Sequence, residues 1–155
     1  MRSLWVRLTV CALALALYVW SFAAPAIQWR TGESWRGLAL LESGPFALIF
    51  ALPTGGAWLA NVGFLLACVL FFRLQYKAAF WTATVSVVLG FSLTQFGKHF
   101  PVPWDEAGLT KQYIDKTLMG FWLWLSAPAL IAVSSLLYKA APAGSPAPNN
   151  RWRGP

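Results

Sequence analysis

At 155 residues, 58% hydrophobic, 11% charged and with a mean hydropathy of +0.56, this chain has more apolar surface than one water-soluble core of its length can hide. The net charge of +7 invites a nucleic-acid reading. The basic residues are scattered at the ends of apolar stretches, however, so no nucleic-acid partner is expected, and the partner these numbers imply is the lipid bilayer.

Residues 8–27 form the first apolar stretch, long enough at about 1.5 Å per helical residue to cross a hydrocarbon core of about 30 Å. A cleaved signal peptide is the competing reading, with Arg2 and Arg7 before an apolar run and Ala24-Pro25-Ala26 as the cleavage site. Residues 28–36 are polar and turn-like. Residues 37–53 are apolar again but interrupted by Glu42-Ser43-Gly44-Pro45. Proline lacks the N–H that a regular helix needs, so this segment reads as interfacial or re-entrant rather than spanning. Pro53-Thr54-Gly55-Gly56 reads as a turn.

The second span is expected at 57–72 and the third at 78–96, joined by a tight hairpin from Arg73 to Lys77. Residues 97–116 read as a polar loop with room for a short helix at its end. Residues 117–138 form the fourth span, bent at Pro128. The fold class is therefore an all-α membrane protein: a four-helix transmembrane domain over 1–138 and a disordered cytoplasmic tail over 139–155, rich in Pro, Ala, Gly and Asn.

Charge sets the orientation. All five acidic residues, Glu33, Glu42, Asp105, Glu106 and Asp115, fall in two loops on one side, where Arg30, Arg36, Lys98, Lys111 and Lys116 balance them. The remaining basic residues, Arg2, Arg7, Arg73, Lys77, Lys139, Arg151 and Arg153, lie at the ends and in the hairpin. Lys and Arg are retained in the cytoplasm, so both termini are expected inside. Trp5, Trp20, Trp29, Trp58, Trp81, Trp104 and Trp122 lie near the span ends, where an indole keeps its N–H wet.

Helices in lipid pack where small residues let backbones approach. The third span offers Ala79, Ala83, Ser86, Gly90, Thr94 and Gly97 on one face, and the second offers Gly56, Ala60, Gly63 and Ala67. These stripes either meet across the hairpin or form an oligomer interface. Cys11 and Cys68 lie inside spans and read as small hydrophobes, with no disulfide framework.

Candidate chemistry is sparse. Glu42 interrupts an apolar stretch and is a candidate to bind a cation or carry a proton, against the simpler alternative that it faces water or pairs with Arg36. His99 is a candidate pH sensor, against the alternative of an interfacial histidine beside a snorkelling Lys98. It has no companion at ligand spacing, so no metal site or cofactor is expected. Asn61 lies within the second span and is expected to hydrogen-bond a neighbouring helix. There is no G-x-S-x-G elbow, no H-E-x-x-H helix and no phosphate loop, and the spans contain no acid, which argues against an enzyme.

The run from Ser34-Trp35-Arg36-Gly37 through Leu40-Leu41-Glu42-Ser43-Gly44-Pro45, followed by Ala57-Trp58-Leu59-Ala60-Asn61, resembles a family of small bacterial inner-membrane proteins. In that family a Gly-Trp-x-x-Leu-Leu-x-Gly segment leads to an Ala-Trp-x-Ala-Asn-Pro motif. Here Val62 stands in place of the proline and Ser43-Gly44 shifts the glycine. The likeness covers residues 1–96 and implies a four-helix inner-membrane fold with Trp58 and Asn61 as the shared feature. It carries no activity. The functional expectation is a non-enzymatic accessory or assembly subunit of a larger complex, with Trp35, Glu42, Pro45, Trp58, Asn61 and His99 as candidate contacts for a protein partner or an ion. The alternative is a homo-oligomeric channel or small transporter built on 42–45.

Overall fold

The computed structural model describes residues 2–50, 55–103 and 111–140. The Pro53-Thr54 half of the expected turn, Trp104, Asp105 and Glu106, and the tail from residue 141 lie outside the described residues. Five α-helices account for most of what is described: α1 (Arg2–Ala23), α2 (Gly37–Phe50), α3 (Leu59–Phe72, entered through a 3-10 turn at Gly56–Trp58), α4 (Tyr76–His99) and α5 (Met119–Ala140). Three stretches within them, Leu4–Ala23, Tyr76–His99 and Met119–Tyr138, are long and apolar enough to cross a membrane, whereas Gly37–Ile49 and Gly56–Phe72 are apolar but shorter.

The chain is not all-α. β1 (Pro25–Trp29) is the central strand of an antiparallel sheet, flanked by β2 (Ser34–Arg36) and β5 (Ile114–Thr117), and β3 (Val102–Pro103) pairs with β4 (Lys111–Gln112). Two expectations fail here. The first helix ends at Ala23 instead of running on to Ile27, because Pro25 lacks an N–H and disfavours helical geometry at Ala24. The 97–116 loop ends in strand instead of a short helix, because Ile114 is needed against β1: it pairs with Trp29, and Ile27, Trp29 and Ile114 form a small core of their own. Asp115 and Lys116, on the same strand, are exposed.

A third correction concerns α2. The Glu42–Pro45 interruption does not break it, and the helix runs from Gly37 to Phe50 with Pro45 inside.

The apolar helices α1, α3, α4 and α5 run alternately up and down in one bundle, with α3 against α4, α4 against α5 and α5 against α1 as the main pairings. Ala14, Phe64, Ala67, Phe71, Ala79, Ala83, Ala127 and Ile131 are its fully buried core, and Cys11 and Cys68, both free thiols, pack against it half-buried. The α3–α4 contact is close because Gly63 faces Ser86: a Cβ at Gly63 would fall on Ser86 Oγ, which is held by the Thr82 carbonyl at 2.9 Å. Gly90 turns to α5 instead, where its missing Cβ leaves space for the Trp124 ring 2.7 Å from where that atom would be.

The two ends differ. At one, Arg7 donates to the Phe72 carbonyl at 2.9 Å beside Arg73, and Tyr76 stacks on Tyr138 with centroids 5.3 Å apart. The α3–α4 link there closes through Gln75 N–H to Leu70 O at 2.9 Å and Leu74 N–H to Phe71 O at 3.1 Å, with Leu74 at φ 66°. That is the pairing of a Schellman cap. The other end carries the sheet, α2 and every described acidic residue, Glu33, Glu42 and Asp115. Arg30 fastens this cap to α4, its guanidinium 4.5 Å from the Tyr113 ring and Nη2 donating to the Lys98 carbonyl at 3.4 Å. A cation at a helix C-terminus also complements the helix dipole.

Gly63→Ala is expected to cost about 1–3 kcal/mol through overpacking against α4. Adding Ser86→Ala removes the atom it strikes, so unfolding in detergent should show the double variant recovering most of that loss.

Candidate functional site

Pro45 has no N–H to give the Leu41 carbonyl one turn earlier. In an apolar environment that carbonyl needs another donor, and an orphaned one costs roughly 1–3 kcal/mol or more. Trp58 supplies it: its indole Nε1 donates to Leu41 O at 3.1 Å. Gly44 makes room, because a Cβ there would fall on the Trp58 ring. Gly55 likewise lets the chain press against the backbone of Ala47. Gly44-Pro45, which reads as a break, is a socket for an indole.

The network continues inward. The Trp58 carbonyl accepts from Asn61 Nδ2 at 2.9 Å, and Asn61 Oδ1 accepts both from Tyr18 Oη–H at 2.9 Å and from Trp124 Nε1 at 2.7 Å. An indole N–H can only donate, so the Asn61 oxygen must face Trp124, which fixes the orientation of the amide. The three residues meet because they lie at one depth. Tyr18 precedes the end of α1 at Ala23, Asn61 follows Gly56, and Trp124 follows Met119 by the same number of residues, about 7.5 Å at 1.5 Å each. Close backbone approaches hold these helix ends together: a Cβ at Gly37 would fall on the Ser21 carbonyl, and one at Gly120 would lie 2.7 Å from the Ala24 carbonyl.

Above this network, between α2, the sheet and the helix bundle, lies a cavity of about 370 Å³. That is within the range of about 300–1,000 Å³ usual for small-molecule sites. Phe22, Ile27, Leu40, Phe46 and Phe121 line it together with the indoles of Trp29, Trp35, Trp58 and Trp124, and Trp29 meets Trp35 edge to face at 5.5 Å. Its polar side chains are Ser21, Ser43, Asn61 and Thr94. Ser21 Oγ donates to the Tyr18 carbonyl at 2.6 Å and Ser43 Oγ to the Leu40 carbonyl at 3.4 Å. Among the described residues, no Asp, Glu, His, Lys or Arg lines it. The arrangement can hold an apolar molecule and offer it hydrogen bonds.

The candidate residues separate into two groups. Trp35, Trp58 and Asn61 converge on the cavity, with Trp35 half-buried and its Nε1 donating to Glu33 Oε1 at 3.1 Å. Glu42 and Pro45 are exposed on α2, and His99 is exposed at the end of α4; none of the three lines the cavity. Among the packing residues, Ala60, Ala79, Ala83, Ser86 and Gly90 are buried, while Gly56 and Gly63 are half-buried. Of the interfacial tryptophans, Trp5, Trp20, Trp81 and Trp122 are exposed, but Trp29 is buried in the sheet. Tyr18 and Trp124 escape a reading of the sequence because their common depth is visible only once the helix ends are known. Among the described residues no three of His, Cys, Asp and Glu come close enough to hold a metal ion.

Compared with protein-family models, curated proteins and solved structures, the chain matches none.

Trp58→Phe should destabilise the protein by about 1–3 kcal/mol, since it leaves the Leu41 carbonyl without a donor. In a Pro45→Ala background the new N–H at residue 45 can serve that carbonyl, so the Trp58→Phe penalty should shrink. Equal penalties in the two backgrounds, measured by chemical unfolding in detergent, would mean that the indole does not stand in for the missing proline N–H.

Proposed function

We propose that this is a four-span protein of the bacterial inner membrane, both termini cytoplasmic, that serves without catalysis as an accessory or assembly subunit of a larger membrane complex. The observation that carries this reading is where the ordered structure outside the long helices is found. One end has a three-stranded sheet, a β3–β4 pair and α2, whereas at the other end α3 and α4 are joined by a short turn. An ordered cap with exposed Ser34, Arg36 and Lys116, and with Trp35 held in place by Glu33, is a surface suited to protein recognition.

Charge supports the orientation. Arg7, Arg73 and Lys77 gather at the turn end, without acidic company among the described residues, while the cap end is mixed. Gly56–Phe72 is the second of the four spans; its length of about 25 Å is slightly short for the core and is accommodated by local thinning or flanking residues. The lack of ionisable residues lining the cavity supports a non-catalytic role. The channel alternative rests on a broken segment at Glu42–Pro45, but α2 is continuous there and Glu42 is exposed and not among the residues lining the cavity.

Two measurements test this. A membrane-impermeant maleimide should label Thr31→Cys in intact cells and Gln75→Cys only after lysis; the reverse pattern would invert the topology. Purification in mild detergent with native mass measurement should yield a stoichiometric foreign subunit. That subunit should be lost on Arg36→Glu with Lys116→Glu and retained on Lys77→Glu. A homo-oligomer whose conductance in liposomes changes with Glu42→Gln would overturn the reading in favour of a channel.

A further inference from the structure

Asn61 has not used all of its hydrogen-bonding capacity. Its Oδ1 accepts two bonds, from Tyr18 and Trp124, and is full; its Nδ2 carries two hydrogens and gives one to the Trp58 carbonyl. One amide N–H is left on a residue that is 8% exposed and lines the cavity. A donor left without a partner at such a site costs free energy that a ligand can recover.

We infer that the cavity binds an uncharged, membrane-soluble molecule with an apolar body and a carbonyl oxygen, the carbonyl accepting from Asn61 Nδ2. None of the described lining residues is ionisable, which disfavours a charged group in the interior, since a buried charge needs a partner. Four indoles and a predominantly aliphatic and phenyl lining favour a flat or chain-like apolar body. At Asn61 the remaining donor selects an acceptor, and a carbonyl meets it without a second partner, whereas a hydroxyl brings a proton that the adjacent Oδ1, with both lone pairs used, cannot accept. The route in also fits a molecule arriving from lipid. Phe46 lines the cavity yet is 68% exposed, and Ile49, one turn further along α2, is 70% exposed, so the opening lies against an apolar surface. The inference does not depend on the accessory-subunit reading, and its test uses the full chain alone.

Two sources supply such a carbonyl: the ester of an uncharged diacylglycerol and the ring of an alkylated benzoquinone. The purified full-length protein in detergent would be titrated with dioleoylglycerol and, separately, with decyl-benzoquinone, with native mass spectrometry reading stoichiometry and tryptophan emission reading affinity. We expect one of the two to bind one-to-one, and which one does identifies the source. Thr94→Phe fills the cavity from α4, a helix that contributes no residue to the Asn61 network, and should weaken binding at least tenfold, with its thermal unfolding unchanged or raised. Should the quinone be the ligand, its reduced dihydroxy form should bind at least tenfold more weakly. Should the diacylglycerol be the ligand, its ether-linked analogue, which lacks the carbonyls, should do the same. Asn61→Leu should abolish the preference for the carbonyl form; if that variant fails to fold, the comparison of carbonyl and non-carbonyl probes on the unaltered protein still decides. Failure of both probes to bind, binding undiminished in Thr94→Phe, or equal affinity for carbonyl and non-carbonyl forms would overturn the inference.

Discussion

The structure depends on what happens to one carbonyl group. Pro45 deprives Leu41 O of its helical donor, and in apolar surroundings that deficit must be met from outside the helix. Trp58 meets it, and in doing so fixes where α2 sits relative to the start of α3. The Trp58 carbonyl then engages Asn61, and Asn61 engages Tyr18 and Trp124, so a single continuous set of hydrogen bonds joins α2, α3, α1 and α5. Because the link between α2 and α3 is as bulky as an indole, α2 stands off from the bundle rather than collapsing on it. The cavity is the space this leaves, roofed by the sheet.

The rest of the bundle is held in the way expected of helices surrounded by lipid, by close approach rather than by exclusion of water. Gly63 against Ser86 and Gly90 under Trp124 bring backbones and rings together, and Arg7 and the Tyr76–Tyr138 stack close the opposite end. The polar network and these close approaches meet at Trp124, whose ring packs over Gly90 while its N–H serves Asn61.

Most of the helical layout was legible in the sequence because it follows from length and hydropathy alone: α1, α4 and α5 are uninterrupted apolar runs, and Arg73–Lys77 between two of them can only be a link. The sheet was not legible. Pro25–Trp29 continues an apolar stretch without a change of composition, and its partner β5 lies in a distant, polar part of the chain, so no local pattern announces the pairing. The continuity of α2 was hidden for the opposite reason: the local rule about proline is sound, and it was overridden by a tryptophan thirteen positions later in the chain. Asn61 stood out as a polar residue in a span, but its partners are an aromatic hydroxyl and an indole, which resemble ordinary membrane aromatics until their depths are compared.

The pairing of β1 with both β2 and β5 has a consequence for biogenesis. β2 follows β1 within a few residues, so that hairpin can form as soon as α1 has been inserted. β5 comes immediately before the last helix, Ile27 pairing with Thr117, so the second edge of β1 stays open until nearly the whole chain has been delivered. A chain halted before β5 would display an unpaired strand edge and, with Trp124 missing, an Asn61 oxygen short of one donor. Such an intermediate is distinguishable from the finished protein at its sheet-bearing end by backbone hydrogen bonding alone, a signal that a chaperone or protease can read without recognising any particular sequence.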